Sequence, residues 1–167
     1  MGGSGGAERS APRCGGGLGG SGGAERSAAP SVDRNGAGVK ATDVGAVTGA
    51  NEAFYAAFEA ADLDRMAACW AQDDTVCCIH PGSDLIVGWP RVSRSWAAVF
   101  VGSARLQFFL TDVDVHVDGD TAVVTCAENV LAGAELSAGR VLATNVFRRV
   151  DGEWRMVLHH ASPVLRG

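Results

Sequence analysis

The sequence predicts an α+β fold: three N-terminal helices, then a long antiparallel meander that curls around them into a cone with one open end. Three observations predict it. Apolar residues recur at helical spacing through the first half of the patterned region. They alternate at strand spacing through the second half. Asp-Gly turns of the hairpin type separate the alternating runs.

The elements follow in order. Residues 1–42 carry "GGSGGAERSA" twice, at Gly2–Ala11 and Gly19–Ala28, too polar to bury a face. They read as a flexible leader ahead of a domain over 43–167, with a natural start near Val39 as the sharper expectation. "DVGAVTGANEAFYAAFEAA" sets Val47, Phe54, Phe58 and Ala61 on one helical face. Asp62 suits the N-cap of a second helix whose inner stripe is Leu63, Met66, Ala67 and Trp70. "TVCCIH", the turn "PGSD" and "LIVGW" form a hairpin. Pro90 fits the first position of a third helix carrying Val92, Trp96, Val99 and Phe100 on one side and ending at Gly102. "LQFFLTDVDVHV", "TAVVTCAENVL", "RVLATNVFRRV" and "EWRMVLHHASP" are the strands of the meander.

Composition narrows the function classes. A chain of 167 residues, 47% apolar and 20% charged, holds one globular domain with a substantial core. Its net charge of -5 and isolated basic pairs argue against a nucleic-acid surface. No apolar run approaches a membrane span and no signal-peptide pattern opens the chain, so a cytoplasmic location is expected. Five cysteines without a C-x-x-C spacing suggest neither a disulfide framework nor a zinc site. Cys77 and Cys78, adjacent on a strand, point to opposite faces and read as buried reduced thiols.

The runs "FYAAFEAADLDRMAACWAQDDTV", "IHPGSDLIVGWPRV" and "NVFRRVDGEWRMVLHHASP" resemble the nuclear transport factor 2-like superfamily, in its SnoaL-like and ketosteroid isomerase-like branch. That resemblance spans about Asp43 to Val164 and implies a cystatin-like α+β cone. It implies a fold that hosts isomerases, dehydratases, cyclases and non-catalytic binding or assembly domains alike. In the isomerases a tyrosine on the first helix serves the oxyanion; here Phe54 falls at that position and Tyr55 one step round. Their general-base aspartate falls on Cys78, so ketosteroid isomerisation is set aside. The aspartate of the aspartate–histidine pair used by the related polyketide cyclases finds no match either.

Strand parity then assigns the pocket. With Cys78 inward by the resemblance, Val76 and His80 share its face. Unbroken alternation in the last strand groups His160 with Trp154, Met156 and Leu158, and His159 with Arg155 and Val157. The resemblance makes the outer face of the sheet a homodimer surface, which places His159 at an interface. His80 and His160 are expected to meet at the cone mouth, as an acid/base pair or as imidazoles tied to backbone carbonyls beside Pro81 and Pro163. Asn129 and Asn145 each sit in an apolar register, serving a ligand or a cross-strand hydrogen bond. Glu128 falls on the face opposite Asn129, and His116 alternates with aspartates on a solvated face. Trp70 and Phe100 read as core, Trp89 and Trp96 as a ligand-facing wall. No metal and no cofactor are expected, since no ligand-spacing motif occurs.

The expected protein is thus a pocket for a hydrophobic small molecule. If catalytic, it performs acid/base isomerisation, dehydration or cyclisation, with His160 and His80 as proton carriers. Trp89, Trp96, Asn145, Asn129 and Cys78 complete the expected site. The alternative is a non-catalytic ligand-binding or dimeric assembly module.

Overall fold

A computed structural model describes residues 41–102, 106–132, 135–136 and 140–164. Most of the expected leader therefore lies outside the described residues. Helix α1 runs Ala41–Glu59, α2 Leu63–Cys69 and α3 Trp89–Gly102. The strands are β1 Cys77–Ile79, β2 Ile86–Val87, β3 Leu106–Asp118, β4 Thr121–Ala132, β5 Glu135–Leu136, β6 Val141–Val150 and β7 Glu153–Pro163. One sheet has the order β2-β1-β7-β6-β4-β3, with β5 on β4. All its pairs are antiparallel except β1 against β7.

Local chemistry explains the boundaries. α1 stops early because Ala61, expected on its inner face, adopts a left-handed φ of 49° and is exposed. Asp62 caps α2, its carboxylate accepting from Asp64 N and Arg65 N at 3.0 Å. Of the expected α2 stripe, Met66 and Trp70 are buried while Leu63 stays 42% exposed. The "LIVGW" strand shrinks to two residues because Gly88 turns at positive φ and α3 already begins at Trp89.

The core lies between the concave sheet face and the helices. Phe54, Met66, Trp96, Phe147 and Met156 are fully enclosed there. Each such side chain contributes on the order of 1.5–3 kcal/mol by leaving water. At the free edge of the sheet, β3 is long, but its Phe108 N–H is taken by the Glu59 carboxylate at 2.6 Å. A bulge between Thr111 and Asp114, with Asp112 at φ 53°, bends the same strand.

A second bulge decides the chemistry. On β6, Phe147 pairs with Met156 but Val146 pairs with Leu158, so Val157 is an extra residue on β7. Parity flips there. Trp154 and Met156 point inward before it, and His159 and Ala161 point inward after it. The unbroken alternation expected for this strand is corrected: His160 is exposed on the convex face opposite Thr144, and His159 is 2% exposed inside. No helix is long and apolar enough to cross a membrane among the described residues.

Candidate functional site

Polar groups converge on the concave face from four elements. Asn51 and Tyr55, one turn apart, share a face of α1. On β4 the even positions Val124, Cys126 and Glu128 point inward, with Asn145 on β6 and His159 on β7 beside them. Asn51, Glu128, Asn145 and His159 are all buried. The apolar cone thus contains a polar layer.

Its hydrogen bonds form one chain. Asn145 Nδ2 donates to Asn51 Oδ1 at 2.8 Å and, more weakly, to Tyr55 Oη at 3.4 Å. Those donations fix the amide, so Asn145 Oδ1 accepts from His159 Nδ1 at 2.7 Å. His159 is thereby held as the tautomer whose Nε2 carries the free lone pair. Tyr55 Oη donates to Glu128 Oε1 at 2.8 Å and lies 3.4 Å from the Cys126 thiol.

Electrostatics follow from burial. Burial, then the charges of His80 and His160, bring the His159 imidazole down to about 3, so it is neutral at physiological pH. Burial raises the Glu128 carboxyl above its ordinary range, partly opposed by the Tyr55 hydrogen bond. The Tyr55 phenol is raised by burial first, then by Glu128 and Cys126. The layer therefore holds a neutral imidazole and a hydroxyl–carboxyl pair that burial keeps in its protonated forms.

Aromatic rings frame this layer. His159 lies 5.0 Å from the Phe54 ring and 5.7 Å from Trp96. His80 stands edge-on to Trp96 at 4.7 Å, and its Nε2 meets Ser95 Oγ at 3.0 Å. Ser95 Oγ donates to Val92 O at 2.7 Å, which leaves it as the acceptor for His80. Cys78 is buried on the same face, its sulfur 3.7 Å from His80 Nε2, and burial pushes its thiol up to about 12.

Three expected placements change. His160 does not approach His80; through the β7 bulge, His159 takes the inward place and shares Trp96 with His80. Asn129 lies on the outer register of β4, where its amide donates to Phe109 O at 2.8 Å and Thr111 Oγ1 at 3.2 Å. Trp89 packs against Trp70, 6.3 Å away, and not on the polar layer. Asn145, Trp96, Cys78 and His80 are on or beside the concave face as expected from parity. The other members of the layer are Tyr55, expected only one step round from the Phe54 position, Asn51, for which no role is expected, Glu128, expected on the face opposite Asn129, and His159, expected at an interface. The first three were readable as polar residues on apolar faces; His159 was hidden by the bulge. Among the described residues, no group of three His, Cys, Asp or Glu side chains is placed to hold a metal.

An open cavity of about 510 Å³ lies elsewhere, between α1, α2 and the β6–β7 turn. None of the polar-layer residues lines it.

A SnoaL-like domain model matches residues 47–166. A candidate dehydratase of the NTF2-like family from Streptomyces avermitilis is 45% identical, over 75% of this chain and 98% of that one, with a TM-score of 0.69. A candidate calcium/calmodulin-dependent protein kinase type II association domain from Thiobacillus denitrificans is 41% identical, over 71% and 94%, with a TM-score of 0.67. The F-box protein SKIP8 of Arabidopsis thaliana is 32% identical over 120 residues, 72% of this chain. The chain spans about half the length of that plant relative. The fold, the matched residues and these likenesses together place the chain in the SnoaL-like family of the NTF2-like superfamily.

Proposed function

We propose that the protein binds and converts a hydrophobic, lightly oxygenated small molecule by cofactor-independent acid/base chemistry, dehydration being the favoured class. One observation carries the reading: a tautomer-fixed His159 and a Tyr55–Glu128 pair share one buried layer bridged by Asn145. In a β-hydroxy carbonyl substrate, His159 Nε2 takes the proton α to the carbonyl. The electron pair left behind forms the C=C bond as the C–O bond breaks. The hydroxyl leaves as water with a proton from the Tyr55–Glu128 side. Such general acid–base assistance supplies about 10²–10⁴ in rate. His80, anchored by Ser95, orients the substrate beside Trp96. His160, outside the cone, has no part in the step.

The direct test is a panel of hydroxylated polycyclic ketones, followed by the absorbance of the conjugated enone that water loss creates. Turnover that vanishes in His159→Gln and survives in His160→Gln supports the reading. Binding without turnover across the panel sinks it in favour of a non-catalytic module.

That second reading has its own support. Relatives include a candidate association domain and an F-box protein. On the convex face Phe109 and Leu142 stand 54% and 45% exposed. We propose a homodimer through this face. The edge of β3 is a poorer surface, since Glu59 already occupies its Phe108 N–H. A cytoplasmic site of action is supported by the free thiols of Cys69, Cys77, Cys78 and Cys126, which suit a reducing compartment.

A further inference from the structure

We propose a second ligand site outside the cone: the cavity between α1, α2 and the β6–β7 turn takes an amphiphilic monoanion, an aromatic or alkyl carboxylate. The cavity, about 510 Å³, has the volume of a small-molecule pocket. Its apolar wall is built by Ala46, Ala50 and Ala53, spaced along one face of α1, with Ala68 of α2. Small side chains there leave room for an apolar body.

Its charge is unlike that of the whole chain. Arg65, Arg149 and Arg155 line it against a single carboxylate, Glu153, whereas the chain carries a net charge of -5. The three guanidinium groups differ in how far they are already engaged. Arg149 is held by Asp43 at 2.9 Å and Asp120 at 3.1 Å, and it lies 4.3 Å above the Trp154 ring. It is a fixed part of the wall. Arg65 and Arg155 meet no carboxylate among the described residues; Arg155 gives one N–H to Ala68 O. Each keeps further donors for an anion.

Trp154 completes the wall. It lines the cavity at 6% exposure, and its indole N–H is buried with no acceptor. Trp70 and Trp96 carry the same unpartnered indole N–H, so the Trp154 ring serves as wall and reporter, and the two uncommitted guanidinium groups mark the place for an acceptor. An apolar carboxylate meets the alanine wall with its body and the guanidinium groups with its head.

The probe is 2-naphthoate, with naphthalene-2-methanol as its neutral counterpart, followed by ¹H–¹⁵N spectra of the indole N–H groups. Trp154→Phe assigns the relevant peak. The expected result is a saturable shift of the Trp154 indole peak by naphthoate, weakened by salt, with no comparable shift from the alcohol. Arg65→Gln with Arg155→Gln raises Kd about tenfold or more, as expected for lost charge-assisted hydrogen bonds. Arg65→Gln alone, at an exposed position, gives a smaller rise in the same direction and reports even if the double variant folds poorly. An unmoved Trp154 peak at millimolar naphthoate overturns the proposal. So does equal binding of the alcohol, or a shift confined to Trp96 inside the cone. These outcomes are independent of whether any substrate is turned over.

Discussion

Replacing Asn145 by alanine tests the polar layer most severely, because this amide is its hub. The variant loses the donation to Asn51 Oδ1, the weaker one to Tyr55 Oη, and the acceptor for His159 Nδ1. Asn51 and His159 are each 2% exposed, so water does not readily replace the amide. Leaving a buried polar group unpaired costs about 1–3 kcal/mol, and two are left. The missing side-chain volume adds on the order of 1 kcal/mol more. The expected loss is therefore roughly 3–7 kcal/mol, a large share of the ~5–15 kcal/mol that holds an ordinary domain together. Urea denaturation followed by tryptophan fluorescence measures it, with Thr144→Ala on the convex face as a control expected to cost about 1 kcal/mol or less. A cycle combining Asn145→Ala with Asn51→Ala is expected to fall short of additivity by roughly 0.5–3 kcal/mol. A loss below about 1 kcal/mol for Asn145→Ala, with additive singles, refutes the argument that these groups depend on one another.

The two buried titratable groups predict opposite pH responses. The folded pKa of His159 lies below its unfolded value, so its neutral state stabilises the fold above about pH 6.5, and this is lost as pH falls toward 3. Glu128 is raised, so its contribution is present below its unfolded pKa and lost as pH rises through the folded one. Glu128→Gln, which keeps an oxygen for Tyr55, is thus expected to gain stability over the native protein at pH 8 relative to pH 4. Denaturation at both pH values, with no such difference, contradicts the burial argument. His159→Ala is expected to lower Tm clearly, while exposed His160→Ala leaves it within a degree or two; reversal of that order in calorimetry contradicts the inward placement of His159. If the proposed dimer forms, Phe109→Asp with Leu142→Asp is expected to leave a folded monomer in sedimentation, since both side chains are already exposed in the single chain. An unchanged sedimentation coefficient contradicts dimerisation through the convex face.

Much of the architecture was legible because it rests on period and punctuation. The spacing of Val47, Phe54 and Phe58, the cap at Asp62 and the turns at Gly119 and Gly152 act locally, and local rules read them. Asn145 reads inward because nothing interrupts its stretch of strand, and Cys78 because the resemblance sets its position inside. Asn129 was put inside because Val123 and Ala127 are apolar. Apolar residues also occupy the convex face, though, so hydrophobicity alone does not name the inner side. Trp89 was assigned to a strand end and instead opens α3, which turns its ring toward Trp70. Tyr55 reads as a neighbour of the functional position because the resemblance sets that position on Phe54; both side chains are in fact buried. The exchange of His160 for His159 had no local signal. Val157 is an ordinary strand residue, and its role as the extra one is set by how Phe147 and Val146 find partners across the sheet.

The doublet His159-His160 gives that extra residue a further meaning. Drawing Val157 into the ladder opposite Val146 would restore plain alternation and carry His160 to the inner side in place of His159. An imidazole would still stand on the inner face, since the sequence offers one at either parity, but opposite Ala143, with Leu158 now facing Asn145. The neighbours would not be so forgiving: Leu158 would turn toward the core and Ser162 would take the place of Ala161. A one-residue slip in this strand thus keeps an imidazole on the inner face but removes it from the amide that orients it, and disturbs the packing around it. The repeated histidine acts as insurance on the identity of the inward group, and its cost is borne by apolar neighbours that have no twin.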